Sequence, residues 1–379
     1  NPKIIFINSS FDLITELKIG LSFWQIYINR QFPIETHSGS KNNNIIRDKL
    51  IFNLKDKDDF LNFCSIIVPK LIPNSFIEDY HFFDNYLKKN NLTAYPKIIF
   101  TSTAHVISEN FKHWAAKCQM NGTKLVICQH GASYGTMKVN SFENHELKIS
   151  DYYFSWGWTN KRFKNKIIKF GNVKNYNKKL IRNKKEKLLL VTFTTGKYFK
   201  YLFSNISSSQ WLTYHENSKK IYQKFTPEIK KNFLLRPSPG YYDWACEKER
   251  WKDAFPKINF ALNPNINYHY KQSKLIIVDH DGTPFLECLN FNIPVIMIHN
   301  FSLEPVRYFS MKYYDKLLEA NICFSNIEEA TDFINNNWNS IDKWWYSKIV
   351  QKNRIFFMNR FSKKLHNPEK YLKKILHNE

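Results

Sequence analysis

Lys124-Leu125-Val126-Ile127-Cys128, followed at once by Gln129-His130-Gly131-Ala132-Ser133-Tyr134-Gly135, is the stretch on which the fold turns. Its apolar run reads as a strand buried on both faces, as in a parallel sheet. A strand that ends in a polar, glycine-flanked turn delivers its next side chains to the crevice above the carboxyl edge of the sheet. In α/β proteins that crevice is where ligands bind. His130 is therefore the first candidate functional residue. Glu143, His145 and Asp151 follow closely, ahead of Ser155-Trp156-Gly157-Trp158, so titratable groups and glycines are concentrated here in a chain with only 10 glycines.

The same alternation of strand and helix continues on both sides. Strand-like runs fall at 3–7, 97–101, 152–155 and 167–170. A helix is predicted over 109–120, with Phe111, Trp114 and Ala115 on one face and Gly122 closing it. Residues 172–187 are dense in Lys and Asn and read as a linker. A second series follows, with strands at 188–193, 233–235, 275–278 and 294–298. Its helices fall at 215–225, 243–252, 284–291, 305–320 and 327–335. The tail from 340 is helical, anchored by Trp344, Trp345, Phe356, Phe357 and Phe361. The fold class is thus α/β, with a Rossmann-like domain over 1–180, a second over 181–340, and helices over 341–379.

The 379 residues suffice for two domains with sizeable cores, and 17% aromatics argue against disorder. A net charge of +23 points to anionic partners. The basic residues are spread along the whole chain and no RNA-binding module is recognisable, so nucleic acid is not an expected partner, although a basic RNA binder is the rival class. The 6 cysteines are scattered without CxxC pairs and read as free thiols of a reducing compartment. No apolar run reaches the ~20 residues needed to cross a bilayer, and no signal peptide is recognisable. The expected location is cytoplasmic, with the basic surface resting on the anionic inner membrane face.

In the second half, Leu275-Ile276-Ile277-Val278 leads into Asp279-His280-Asp281-Gly282-Thr283-Pro284 and then Phe285-Leu286-Glu287. This is a strand, a polar turn and a helix start. Gly282 permits a close turn, Thr283 is placed to cap the helix, and Pro284 suits its first turn. Exposed N–H groups there form an anion site suited to a nucleotide phosphate, with Glu287 one turn on, placed for ribose hydroxyls. The alternative is a capped helix with a surface glutamate. Arg236, in another strand-end loop, suits a carboxylate or phosphate, or a structural salt bridge. Thr194-Thr195-Gly196-Lys197 is placed to touch phosphate but lacks P-loop spacing. No GxGxxG, HExxH or GxSxG occurs, so NAD, metal and serine-nucleophile chemistry are not expected.

The blocks QHGASYG (129–135), SFENHELKISDYYFSWGW (141–158), LRPSPGYYDW (235–244), DHDGTPFLECLNFNIP (279–294), DKWW (342–345) and RIFFMNRF (354–361) resemble a family of bacterial surface-polysaccharide transferases. The chain is also similar to the GT-B transferases that use CMP-activated Kdo or nonulosonic acids. The resemblance runs from about 97 to 361, and the first 95 residues match nothing in it. It implies a GT-B fold, with two Rossmann-like domains facing across a cleft, the acceptor on the first and the nucleotide on the second. The C-terminal helices would return to the first domain.

The same resemblance implies that Asp279, Gly282, Thr283, Glu287, Thr194, Thr195 and Arg236 hold the donor. Gln129, Gly131, Tyr134, Trp156, Trp158, Tyr242 and Trp244 would line the cleft. The donor would be a CMP-sugar, the acceptor a glycan or lipid-linked glycan, and no cofactor is implied. Related enzymes carry an acidic turn where this chain has Gln129-His130-Gly131, and some carry a His-Pro pair that is absent here. The histidine turn also resembles that of CDP-glycerol phosphotransferases, which keeps a CDP-alditol phosphotransferase as an alternative. An inverting transfer needs one base, and imidazole, with an ordinary pKa near ~6.5, suits that task. His130 is the favoured base, with Glu143 orienting or replacing it and His145 nearby. A retaining route would need a carboxylate nucleophile, Glu143 or Asp151.

Overall fold

A computed structural model describes residues 2–25, 39–51, 58–90, 92, 95–183, 186–198, 202–238 and 247–377. The chain forms two compact units, 1–128 with 372–379, and 129–371. In the first unit, β1 (Ile4–Ile7), β2 (Ile98–Thr101) and β3 (Lys124–Cys128) run parallel in that order. Ile4, Ile98, Ile99, Phe100, Val126, Ile127 and Cys128 are essentially inaccessible, which is why these strands read as unbroken apolar runs. Helix Glu109–Met120 joins β2 to β3 where the apolar periodicity predicts it. Ser108 caps it, and Phe111, Trp114, Ala115 and Cys118 are buried. Gly122 follows its C-cap residue, Asn121, at φ +86°, the left-handed position that ends a helix.

The long connection from β1 to β2 contains helices Leu13–Ser22, Asn44–Lys49, Asp59–Leu71 and Tyr80–Lys89, which the sequence pattern does not reveal. Several carry large apolar residues on their exposed faces, as Leu13, Ile14 and Leu21 do on the first and Phe60, Phe63 and Leu71 on the third, so the apolar pattern does not mark the buried side. Buried Arg47 holds this region together. It pairs with Glu78 at 2.7 Å and donates to the carbonyls of Pro69, Lys70 and Ile72.

In the second unit, β4 (Tyr152–Ser155) and β5 (Ile167–Lys169) pair in parallel. A five-stranded parallel sheet contains β6 (Lys187–Val191), β7 (Phe233–Arg236), β8 (Ser273–Val278), β9 (Val295–Ile298) and β10 (Cys323–Phe324), in the order β10-β9-β8-β6-β7. From β6 the chain steps to β7 on one side and returns to β8 on the other. The crevice above the carboxyl ends of β6 and β8 is therefore the topological switch point of this sheet. Leu188, Leu190, Leu235, Leu275, Ile277 and Ile296 form its core with Trp251. The two-residue β10 carries too little pattern to be read from sequence.

The helices of this unit follow the expected order with shifted ends. The one expected at 215–225 spans Gln210–Gln223, and the one at 305–320 spans Tyr308–Glu319. The helix expected from 243 is described from Glu247, so Tyr242 and Trp244 lie outside the described residues. Helix Lys348–Phe361 packs on Tyr308–Glu319 and Thr283–Phe291, with Phe357 against Phe285 and Tyr314. The chain after it runs beside Trp156 and Asn172, each bonded to the backbone of Lys363. Residues 372–379 group with the first unit. Among the described residues, no helix is long and apolar enough to cross a membrane.

Candidate active site

The turn after β3 is built by its own side chains. Gln129 is buried, and its Oε1 accepts from Trp156 N–H and Trp158 Nε1–H, each at 2.8 Å. Its Nε2 donates to the Gly131 carbonyl at 2.8 Å. Gln129 and the two tryptophans, expected to line a cleft, thus form the buried support of the loop. Gly135 has φ +75°, and a Cβ there would lie 2.5 Å from Trp158 Cγ, so only glycine fits. Ser133, at φ +71°, donates to the Asp281 carbonyl at 3.0 Å.

His130 sits half-buried beside this support. Its Nδ1 lies 3.3 Å from Tyr134 Oη and 3.7 Å from Glu146 Oε1. Tyr134 Oη donates to Glu146 Oε1 at 2.9 Å. Burial, and next the charge of Glu146, raise the Tyr134 pKa well above its ordinary value, so the phenol keeps its proton. That single hydrogen is committed to Glu146, so the contact with His130 has Nδ1–H as the donor. Nε2 then carries the basic lone pair of the neutral ring.

The carboxylate in reach of His130 is therefore that of Glu146, which the sequence reading did not select. Spacing was the available signal, because Glu146 lies one turn beyond Glu143 on helix Ser141–Ile149, and both are buried. Glu143 is taken up elsewhere. Its Oε1 is 2.7 Å from Arg307 Nη1 and its Oε2 accepts from Gly135 N–H at 2.7 Å. Burial raises its pKa, against the opposing pull of Arg307. Glu143 thus holds the loop that presents His130. His145 is exposed on the same helix and Asp151 is half-buried ahead of β4.

The loop faces the start of helix Thr283–Phe291. Thr283 does not cap this helix, contrary to the sequence expectation. The cap position is Gly282, no side chain bonds to the first turn, and Pro284 stands in that turn. The Thr283 hydroxyl instead accepts from Ala132 N–H at 3.1 Å. Asp281 is buried, accepting from Thr136 at 3.1 Å and Tyr314 at 2.9 Å. A Cβ on Gly282 would fall 2.2 Å from His280 Nε2, so this glycine makes room for the imidazole.

His130, Gly131, Tyr134, Gly282 and Thr283 line one pocket of about 480 Å³, together with Lys174, Phe193 and His280. An uncapped helix start, Lys174 and His280 make the pocket suited to an anion. Lys174, inside the segment read as a linker, is largely buried, which lowers its pKa, while Glu287 opposes that shift.

The remaining expected donor residues are not among those lining this pocket. Glu287 accepts from Tyr270 Oη at 3.1 Å. Its pKa is raised by burial and lowered again by Lys174. Asp279 accepts from Tyr214 and Ser218 at 2.5 Å each. Thr194 donates to Glu247 at 2.6 Å, and Thr195 is buried beside it in sequence. Arg236 donates to the carbonyls of Asn263 and Pro264 at 2.7 Å each. Among the described residues, no group of three or more His, Cys, Asp or Glu is arranged to hold a metal ion.

HepE from Anabaena, solved in complex with UDP and glucose, is similar over 100% of both chains at 9% identity, with a TM-score of 0.50. UDP-N-acetylglucosamine 2-epimerase from Rickettsia bellii aligns over 100% of this chain and 96% of its own at 12% identity, TM-score 0.48. MurG from Acinetobacter baumannii aligns over 99% of each at 9% identity, TM-score 0.43. The likeness to HepE shows the fold, and with the parallel sheets described above it makes this an α/β protein of the GT-B class. The family described as "LIC12162 family transferase" matches residues 1–376, and the chain belongs to that transferase family. The match includes the first 95 residues, which the sequence motifs left unplaced. No curated protein matches the chain.

Proposed function

We propose that this transferase moves a glycosyl group from a nucleotide-activated donor to a glycan or lipid-linked glycan. One observation carries the reading: His130, with its Nδ1 engaged by Tyr134, shares a pocket with the uncapped start of helix Thr283–Phe291. The acceptor hydroxyl would give its proton to His130 Nε2 as its oxygen bonds to the anomeric carbon. The bond from that carbon to the donor phosphate would break, and the nucleotide would leave with the electron pair. The helix start and Lys174 would receive the developing phosphate charge, a role for preorganised donors that needs no resident cofactor.

The finer reading is a CMP-activated ulosonic acid, such as Kdo or a nonulosonic acid, as donor. The sequence blocks support it, and the HepE complex with UDP and glucose supplies the rival donor class. In this reading residues 1–180 serve the acceptor, 181–340 the nucleotide, and 341–379 return to the first part. Glu287 would hold the ribose, with Thr194, Thr195, Asp279 and Arg236 shaping the donor loops around it. A thermal-shift screen of CMP, CDP, UDP and GDP tests the donor class. A response to CMP alone supports the finer reading, and a response to UDP alone overturns it while leaving glycosyl transfer intact. Transfer from CDP-glycerol would favour the phosphotransferase.

A further inference from the structure

Helix Leu13–Ser22 is amphipathic in the wrong sense for a core helix. Its inward face is Thr15, Glu16, Ile19 and Gly20. Outward stand Leu13 (56% exposed), Ile14 (64%), Leu17 (39%) and Leu21 (65%), followed by Trp24 at 94%. At 3.6 residues per turn the four helical positions fall within an arc of about 100°, and Trp24 follows just beyond the helix end. Single exposed apolar residues are ordinary, but a continuous stripe ending in a tryptophan marks an interaction surface.

Trp24 is held out, not left loose. Phe23 before it is buried and donates its N–H to the Gly20 carbonyl, and Trp24 donates its own N–H to the Leu21 carbonyl. Gln25 after it clamps the edge of β1, accepting from Lys3 N–H and Ile4 N–H at 2.7 and 3.0 Å and donating to the Ile4 carbonyl at 2.6 Å. Next to Trp24 lies a cavity of about 440 Å³ lined by Lys3, Lys97 and Lys373 with Ser22, Phe23 and Leu376. The Lys373 ammonium stands 5.9 Å from the Phe23 ring.

We propose that this stripe docks onto an anionic phospholipid bilayer. The leucines and Ile14 would enter the acyl boundary, Trp24 would sit at headgroup depth, and the three lysines would meet lipid phosphates. Charge selects this occupant over a second copy of the chain, because two copies would bring the same three lysines, and +23 each, together. The docking does not depend on the identity of the donor.

Flotation with vesicles tests it. The full chain is expected to float with vesicles of equal phosphatidylglycerol and phosphatidylcholine, and not with phosphatidylcholine alone. The double variant Leu17→Glu/Leu21→Glu should keep its melting temperature and lose partitioning by about a hundredfold or more, from two leucines no longer buried. Lys3→Glu/Lys97→Glu leaves the helix untouched and should lose about fivefold or more per lysine, with the remaining binding weakened by salt. Three results overturn the proposal: wild-type chain that ignores the anionic vesicles, either variant floating like wild type, or a dimer that the leucine variant dissociates while no vesicle is bound.

Discussion

Replacing Arg307 by Met tests the tie that holds the His130 loop. Glu143 is 1% exposed and its Oε1 lies 2.7 Å from Arg307 Nη1, while its Oε2 receives the Gly135 N–H. Removing one partner of a buried pair leaves an uncompensated charge, at a cost of about 3–5 kcal/mol. For a chain of this size that is a fall of roughly 6–15 °C in melting temperature. The cost depends on pH in a defined direction. Burial already raises the Glu143 pKa, and Arg307 is the strongest influence holding it down. Without Arg307 the folded-state pKa rises further, so the carboxyl is taken up protonated. A group with a raised folded pKa contributes its stability at low pH and loses it as pH climbs through that pKa. The variant should therefore be close to wild type near pH 5 and fall away from it toward pH 8. Glu143→Gln combined with Arg307→Met should recover part of the loss, because no charge is left buried. Melting curves across pH for the single and double variants read this directly. An equal deficit at pH 5 and pH 8, or no recovery in the double variant, would refute the reasoning.

Gly135→Ala meets both a left-handed φ and a Cβ 2.5 Å from Trp158, so it should destabilise by about 3 kcal/mol or more, read as a shift in urea midpoint. His299 is fully buried and its pKa is lowered to about 3 by that burial. Its stability contribution is present above the unfolded pKa and lost as pH falls toward 3, so between pH 7 and 4.5 it removes about 2–3 kcal/mol. His299→Leu should lose less stability than wild type over that interval in urea titrations, and an identical loss would contradict the assignment. Tyr134→Phe deletes the acceptor for His130 Nδ1–H, and Glu146→Gln deletes the charge behind it. Both should lower transfer by about tenfold to a hundredfold and move the pH–rate profile, whereas an unchanged profile would reduce the pair to packing.

The sheets were legible because strands buried on both faces leave unbroken apolar runs, as at Lys124–Cys128 and Ser273–Val278. The helices between β1 and β2 were not, since large apolar residues stand on exposed as well as buried faces, as Leu13, Leu17 and Leu21 do opposite Ile19, and blur the contrast on which such readings depend. At the site, His130 and Gly282–Thr283 were readable from their place after strands, and the structure puts them in one pocket. The supporting shell was less readable. Arg307 and Lys174 acquire their roles from neighbours far along the chain, Glu143 and Glu287, whereas Glu146 is signalled only by its spacing from Glu143. Gln129 looks like a cleft residue in sequence, and only the three-dimensional contacts reveal it as the clamp for Trp156 and Trp158. Thr283 has the right residue type for a cap, but its hydroxyl is spent on Ala132.

The central claim is that the His130 turn and the start of helix Thr283–Phe291 form a nucleotide-sugar transfer site. Titration calorimetry of wild type, His130→Ala and Gly282→Val with CMP, CDP, UDP and GDP tests it most directly. One nucleotide, CMP in the finer reading, should bind wild type and His130→Ala alike. Gly282→Val, whose side chain would collide with His280 and crowd the anion site, should lose that binding. Absence of binding by all four nucleotides to wild type, or undiminished binding to Gly282→Val, would contradict it.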